Sequence, residues 1–412
     1  MADVLEDLRA ATGGNAGPAT EADAVDGVPA RWVARPRTTE ETSAVLRATA
    51  AHGLAVVARG AGTKLTWGAA PERADVVLDT TGLDAVVEHA AGDLICVVGA
   101  GRALESLQAE LGRAGQRLGI DDGRNGTVGG AVATAATGPT RLYHGSVRDL
   151  VIGMTLVRPD GVVAHAGGKV VKNVAGYDLG KLLTGSFGTL GVITQVAFRL
   201  HPVPAARRWV TTTLDSRARI QQRVLAVTHA QVVPSAVELD WSAGGATLSL
   251  LLEGVPPGVE RRTSQALDLL GPDAGASEEA PPWWGREPQG EAGVLLKVTH
   301  EIAGLSRLLA ALETAAAAAG VTPTLRGSPV VGTALVALDG DVTAEGLAAF
   351  VTSLRSAQPG FGGSVVVLEA PAAVKQGVDV WGPVGGLDLM KAVKAQFDPE
   401  RRLAPGRFVG GI

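Results

Sequence analysis

At 412 residues, with 46% hydrophobic and 19% charged side chains, the chain is too apolar for a disordered protein and long enough for two or three domains at about 100–200 residues each. Its formal net charge of -5, with acidic and basic residues interspersed, provides no electropositive surface of the kind a phosphate backbone requires, which excludes nucleic acid as the expected partner. Cys96 is the single cysteine, so an intrachain disulfide and thiol-ligated iron–sulfur centres within the chain are ruled out, and a reducing compartment fits.

The first 28 or so residues read as a loose segment. Met1-Ala-Asp-Val-Leu-Glu-Asp lacks the basic-then-apolar order of a secretory signal, and no run approaches the ~20 apolar residues of a membrane span. A cytoplasmic protein is therefore expected, with docking onto a membrane-bound partner left open. Thr39-Glu40-Glu41-Thr42 begins a helix running to His52, with Val45, Leu46 and Thr49 as its apolar stripe. A strand follows at Ala55–Ala58, then a glycine loop from Gly60 to Gly68 and strands at Asp75–Asp79 and Leu94–Val98. Ala103–Ala114 reads as a helix. After a second glycine cluster, Gly123 to Gly138, come strands Val151–Arg158 and Val162–His165, joined at Pro159-Asp160-Gly161, a strong hairpin signal. A third cluster, Gly185 to Gly191, leads into Val192–Leu200, whose apolar–polar alternation predicts a half-buried strand before Pro202 and Pro204 close the domain.

From Arg207 the composition changes. Strands at Arg208–Leu214, Ala236–Trp241, Thr247–Leu252, Val294–Val298 and Ser364–Leu368 alternate with helices at Arg261–Leu270 and Ser306–Ala319, a separate α+β domain. The Gly, Pro and Glu-rich segment from Gly271 to Gly293, with Trp283 and Trp284, reads as an exposed loop or lid. No internal repeat is visible.

Three glycine clusters flank strands in the first half. Arg59-Gly60-Ala61-Gly62-Thr63-Lys64 directly follows a strand, and its small residues let successive amides approach an anion such as a diphosphate. It lacks the pattern of a Walker loop or of a helix-opening dinucleotide loop, and by itself an ordinary Gly-rich turn fits as well. Gly126-Thr127-Val128-Gly129-Gly130-Ala131-Val132-Ala133-Thr134 puts small residues where backbone passes a flat ligand, or where helices pack tightly. Gly138, Arg141, Tyr143, Gly145, Ser146, Arg148 and Asp149 follow, the polar ones lining the same cavity or forming surface ion pairs. The third stretch runs from Gly167 through Lys172 and Tyr177 to Gly188, Gly191, Val192 and Ile193. Jointly the clusters argue for one extended ligand with a diphosphate and a planar ring system.

At these residues the sequence resembles the FAD-binding fold of the vanillyl-alcohol oxidase (PCMH-type) superfamily, and within it the FAD-binding subunit of bacterial glycolate oxidase. The resemblance rests on the Arg59–Lys64 loop, Thr127-Val-Gly-Gly130, Gly145-Ser-Val-Arg-Asp149, the Lys169–Leu179 segment and Ser186-Phe-Gly-Thr-Leu-Gly-Val-Ile-Thr194. It implies an α+β protein: a short N-terminal segment (1–27), a two-subdomain PCMH-type FAD-binding domain (28–204), an inserted α+β cap (205–375) over the flavin, and a C-terminal segment (376–412) returning to the flavin domain. Phe397-Asp398-Pro399 and Pro405-Gly406-Arg407 mark that return. Amides of residues 60–64 are implied to wrap the diphosphate, and residues near 127–134 and 188–193 to hold the ring ends. Members with covalent flavin often carry a histidine in the first loop, where this chain has Thr63 and Lys64, implying noncovalent FAD. The expected partners are a small 2-hydroxy acid, a second flavoprotein and an iron–sulfur subunit. Relatives oxidising D-2-hydroxy acids carry a His-Gly-Asp-Gly-Asn-like motif that this sequence lacks, so turnover by the isolated chain stays open. Two further readings stay with it, a self-contained oxidase or dehydrogenase and a non-catalytic scaffold that keeps FAD for stability.

Oxidising a 2-hydroxy acid needs a base for the hydroxyl proton and a cation for the carboxylate. None of the seven histidines has metal-ligand spacing. His300 and Glu301 either face the ligand or cap the next helix. Glu238 and Asp240 share one face of a strand, expected to be solvated, opposite Val237, Leu239 and Trp241. No catalytic residue is assigned.

Overall fold

The computed structural model describes residues 2–169 and 178–412. The chain divides into two compact units, one of residues 1–137, 145–203 and 383–412, the other of residues 138–144 and 204–382.

Among the described residues the first unit contains two main sheets, beside a two-stranded pairing of Gln116–Arg117 with His201–Pro202. In the smaller, Trp32–Ala34 and Val56–Arg59 run parallel to Val76–Asp79 between them, and Ala16–Pro18 adds an antiparallel edge. All four residues of Val76–Asp79 are buried, as expected of a parallel strand covered on both faces. The helix Thr39–Ala51 is capped by Thr38, whose hydroxyl accepts from the Glu41 amide at 3.1 Å, one residue before the expected cap. Its Val45 and Leu46 pack with Val56 and Val76. The same core takes up Leu8, fully buried, with Val4 and Leu5 beside it, so the segment expected to be loose instead forms a helix, Ala2–Ala11, whose 3–4 spacing supplies an apolar face.

The second sheet is antiparallel throughout, in the order Val86–Ala90, Ile95–Gly99, Val192–Arg199, Val151–Val157, Val163–Gly167. Its last two strands form the expected hairpin, with Gly161 at φ +82°. Val192–Arg199 is buried except at Gln195 and Arg199, more than its alternating pattern predicted. It is central in its sheet, with Ile193 in the core built on Leu107, Val132 and Phe198, and Val192 in the core of the smaller sheet.

The C-terminal segment closes this unit. The Val56 amide donates to Arg402 O at 2.8 Å and the Ala404 amide to Val56 O at 2.9 Å, extending the smaller sheet. Upstream, the helix Leu387–Phe397 ends on a buried ion pair: Lys394 Nζ donates to Asp398 Oδ2 at 2.7 Å, Thr189 O at 2.7 Å and Leu403 O at 2.9 Å. Asp398 also accepts from the amides of Arg402 (3.1 Å) and Leu403 (2.7 Å).

The second unit is an eight-stranded sheet ordered Gly275–Ser277, Ala206–Leu214, Gly245–Gly254, Ala236–Ser242, Thr322–Ser328, Thr333–Asp339, Val294–Thr299, Val365–Glu369. Helices Arg217–His229, Pro256–Leu270, Leu305–Ala319 and Ala344–Phe361 pack against it. Chain order shows β-α-β-β-α-β twice, over 206–277 and over 294–369, with mirrored strand orders meeting where Ala236–Ser242 pairs with Thr322–Ser328. This unit is therefore a duplicated motif, contrary to the expectation of no repeat. The repetition is one of topology, which residue-by-residue comparison does not register.

Residues 302–319 are apolar enough to pass as a membrane span by composition. In the fold, Leu305, Leu308, Leu309 and Leu312 are fully buried, which explains that composition as a core helix. The segment 271–293 is tied down rather than free: residues 275–277 pair with Trp209–Thr211, and Trp284 meets Trp209 edge-on at 6.1 Å.

His300 begins the turn after Val294–Thr299. Its Nδ1 lies 2.8 Å from Glu301 O, while its buried Nε2 has no hydrogen-bond partner among the described residues. Burial pushes its pKa below the ordinary 6.5. A depressed histidine is neutral in the fold and protonated first in the unfolded chain, so its contribution is complete above pH 6.5 and declines as pH falls through the lowered folded value. His201, lowered chiefly by burial and then by Arg199 and Arg117, acts in the same direction. Denaturation midpoints should fall below that pH, and His300→Leu should flatten part of the slope; parallel slopes for both proteins would refute the assignment.

Candidate functional site

Val56–Arg59 delivers the chain into the first glycine loop, and Gly62 turns it at φ +78°, a conformation side chains rarely adopt. Arg59 anchors the loop base, paired with Asp23 at 2.8 Å and Asp79 at 3.0 Å. The Thr20 amide, with the Arg59 guanidinium and the Thr20 hydroxyl, holds the Asp23 carboxyl down at about 2. Lys64 is buried and pairs with Asp122 at 2.7 Å.

Thr127 lies against this loop. Its hydroxyl caps the helix Val128–Ala133 by accepting from the Gly130 amide at 3.3 Å, and a Cβ at Gly60 would stand 2.1 Å from it. Gly129 also approaches Ala100 closely, since its Cβ would meet the Ala100 Cβ at 2.8 Å. The third cluster is laced to the same helix, through Gly185 N to Val132 O and Phe187 N to Ala133 O, both 2.9 Å. Phe187 has φ +55°, an uncommon conformation for an aromatic residue, and stacks on Phe408 at 5.6 Å.

Together these loops line one cavity, part of it open to solvent. Of the residues expected to bind, Arg59, Gly60, Ala61, Gly62, Thr63, Lys64, Gly126, Thr127, Gly129, Gly130, Ala133, Thr134, Gly188, Gly191, Val192 and Ile193 line it. Ala58, Leu65, Thr80, Ala100, Phe187 and Arg407 line it as well. Residues 30–167 match the FAD binding domain family.

The chain carries an FAD-binding domain.

The cavity suits the cofactor: side-chain-free bends beside basic groups for a diphosphate, and an apolar wall of Ala58, Leu65, Ala100, Phe187, Val192 and Ile193 for a ring system. Similar proteins include the D-lactate dehydrogenase of Archaeoglobus fulgidus, 38% identical over 41% of this chain and 38% of that protein. A glycolate oxidase subunit of Escherichia coli is 35% identical over 36% of this chain and 42% of that protein. The matches thus span less than half the length of these relatives. A solved structure of p-cresol methylhydroxylase with substrate bound superposes with a TM-score of 0.76 at 16% identity, over 98% of this chain and 96% of that one. The expected PCMH-type fold is therefore the observed one.

Other expected residues lie elsewhere in or beside the FAD-binding domain. Val128 is in the hydrophobic core, and Gly68 sits beyond the loop at φ +78°. Ser146 and Asp149 cap the helix Val147–Leu150, the Ser146 hydroxyl and amide both reaching Asp149 Oδ2 at 2.8 Å and lowering its pKa; Gly145 precedes them at φ +82° and Arg148 is the helix's basic residue. Gly138 and Arg141 belong to the segment that groups with the second unit. Lys172 and Tyr177 lie outside the described residues.

In the second unit a polar row crosses the sheet on the face opposite Val237 and Leu239. Thr211 and Ser249 hydroxyls are 2.8 Å apart, Ser249 pairs with Glu238, Ser328 Oγ donates to Glu238, and Thr333 and Thr299 continue the row. Glu238 is 5% exposed, against the expectation of a solvated face, because the row is covered rather than open to water. Asp240, on the same face, pairs with Arg326 at 2.9 Å. Lys297 lies in that register two strands further on, and burial, then the charge of Arg141, push its pKa down.

Proposed function

We propose that this chain is an FAD-linked oxidoreductase subunit that binds FAD noncovalently and takes part in oxidising a small 2-hydroxy acid, passing electrons to a second flavoprotein and an iron–sulfur subunit. The observation that carries this reading is the convergence of three glycine clusters and the C-terminal return on one cavity within the FAD-binding domain. The names of the similar proteins, a D-lactate dehydrogenase and a glycolate oxidase subunit, supply the substrate class. Noncovalent binding is supported by the first loop, where Thr63 offers no imidazole and Lys64 is engaged by Asp122.

Bound FAD supplies a two-electron acceptor. The chain's own residues would orient it: amides of residues 60–64 would hold the diphosphate, and the helix Val128–Ala133 with the 185–193 loop the ring end. The name of the D-lactate dehydrogenase among the similar proteins supports a second reading, a chain that turns over substrate alone.

The two readings part under anaerobic addition of glycolate or D-lactate. Loss of flavin absorbance in the isolated chain supports self-contained turnover, and loss only after partner subunits are added supports the complex. A silent flavin in both settings supports a scaffold role and overturns the proposal.

A further inference from the structure

The positive charges around the FAD cavity are not equally neutralised. Arg59 has two carboxylate partners, at 2.8 and 3.0 Å, and Lys64 has one at 2.7 Å. Arg407 is only 4% exposed, and its Nη2 donates to neutral carbonyls alone: Lys64 O at 3.0 Å, Leu65 O at 2.7 Å and, at the limit of 3.5 Å, Trp67 O. Its Nε is buried without a hydrogen-bond partner, and among the described residues no carboxylate pairs with it. Burial pulls the guanidinium down to about 10, and the charge of Asp26 offsets part of that. A buried cation without a paired anion is strongly disfavoured, and this one lines a cavity whose ligand carries a diphosphate.

We propose that Arg407 supplies the fixed positive charge that pairs with the diphosphate of FAD, completing from the C-terminal return a cradle whose amides come from residues 60–64. The inference rests on the FAD assignment of that cavity. It differs from a loop-shaping role, in which Arg407 would only tie down the carbonyls of residues 64–67.

The test compares binding of FAD, ADP and adenosine to flavin-free protein by titration calorimetry. The deciding quantity is the ratio of ADP to adenosine affinity, which isolates the phosphates. Arg407→Gln should lower that ratio about 10- to 100-fold, the loss expected for hydrogen bonds to a charged group, with adenosine affinity unchanged. Arg407→Lys, which keeps the charge without the planar fork, should lower it less and covers the case in which the glutamine variant does not fold. A ratio that stays constant in whichever variants fold, whether or not both affinities drop together, overturns the proposal. Wild-type protein that takes up neither FAD nor ADP would overturn the cavity assignment instead.

Discussion

Asp398→Ala should destabilise the chain by about 3–5 kcal/mol, enough to threaten folding at growth temperature. Asp398 is fully buried and Lys394 nearly so, at 3% exposure. Without the carboxylate, the ammonium would keep only the carbonyls of Thr189 and Leu403, and the amides of Arg402 and Leu403 would lose their acceptor. Burial already holds Lys394 below the ordinary lysine value, with Asp398 opposing that shift. Chemical denaturation of the purified variants checks the figure. Replacing both partners together, Lys394→Met with Asp398→Leu, should cost much less than Asp398→Ala, since no buried charge is stranded. A single variant within ~0.5 kcal/mol of wild type would show that the pair contributes little.

Gly62→Val should leave the fold intact and yield colourless protein. At φ +78° a β-branched residue pays about 1–3 kcal/mol in strain or moves the loop. The nearest protein atoms to an added Cβ are Arg59 Cδ and Leu65 Cδ1, both at 3.8 Å, so little within the chain resists the side chain. The damage therefore falls on the ligand's space and on the loop's amides. Gly60→Ala works differently, by driving Thr127 away from a Cβ at 2.1 Å. Flavin absorbance per polypeptide after gel filtration, with a thermal melt of the same sample, separates the effects; a normal flavin ratio in Gly62→Val would remove the first loop from the site.

Local signals were readable in the sequence and long-range ones were not. The 59–64 loop, the Pro159-Asp160-Gly161 hairpin and the helix Thr39–Ala51 each declare themselves within a few residues, through backbone freedom, turn chemistry and periodicity. The helix Pro256–Leu270 was recognised only from Arg261, because Pro256 and Pro257 hide a first turn in which proline is well tolerated. Thr322–Ser328, Thr333–Asp339 and Ala344–Phe361 are not legible in the same way, the last carrying Pro359 and two glycines, Gly346 and Gly360. Glu238 looked solvated because alternation reports which face a residue occupies, not what covers that face. Arg407 is hidden for a related reason: the Lys64 carbonyl to which it donates lies 343 residues away.

That separation bears on how the protein matures. A chain still emerging from the ribosome can build its first sheets, yet it has neither the partner of Val56 nor the arginine at the cavity wall until residues 402–407 are free. Cofactor loading is thus a late event, gated by the slowest loop closures in the molecule. Proteolytic trimming of those few residues would strip the cavity of its arginine and also take Arg402 and Leu403 from the smaller sheet and from the Lys394–Asp398 pair.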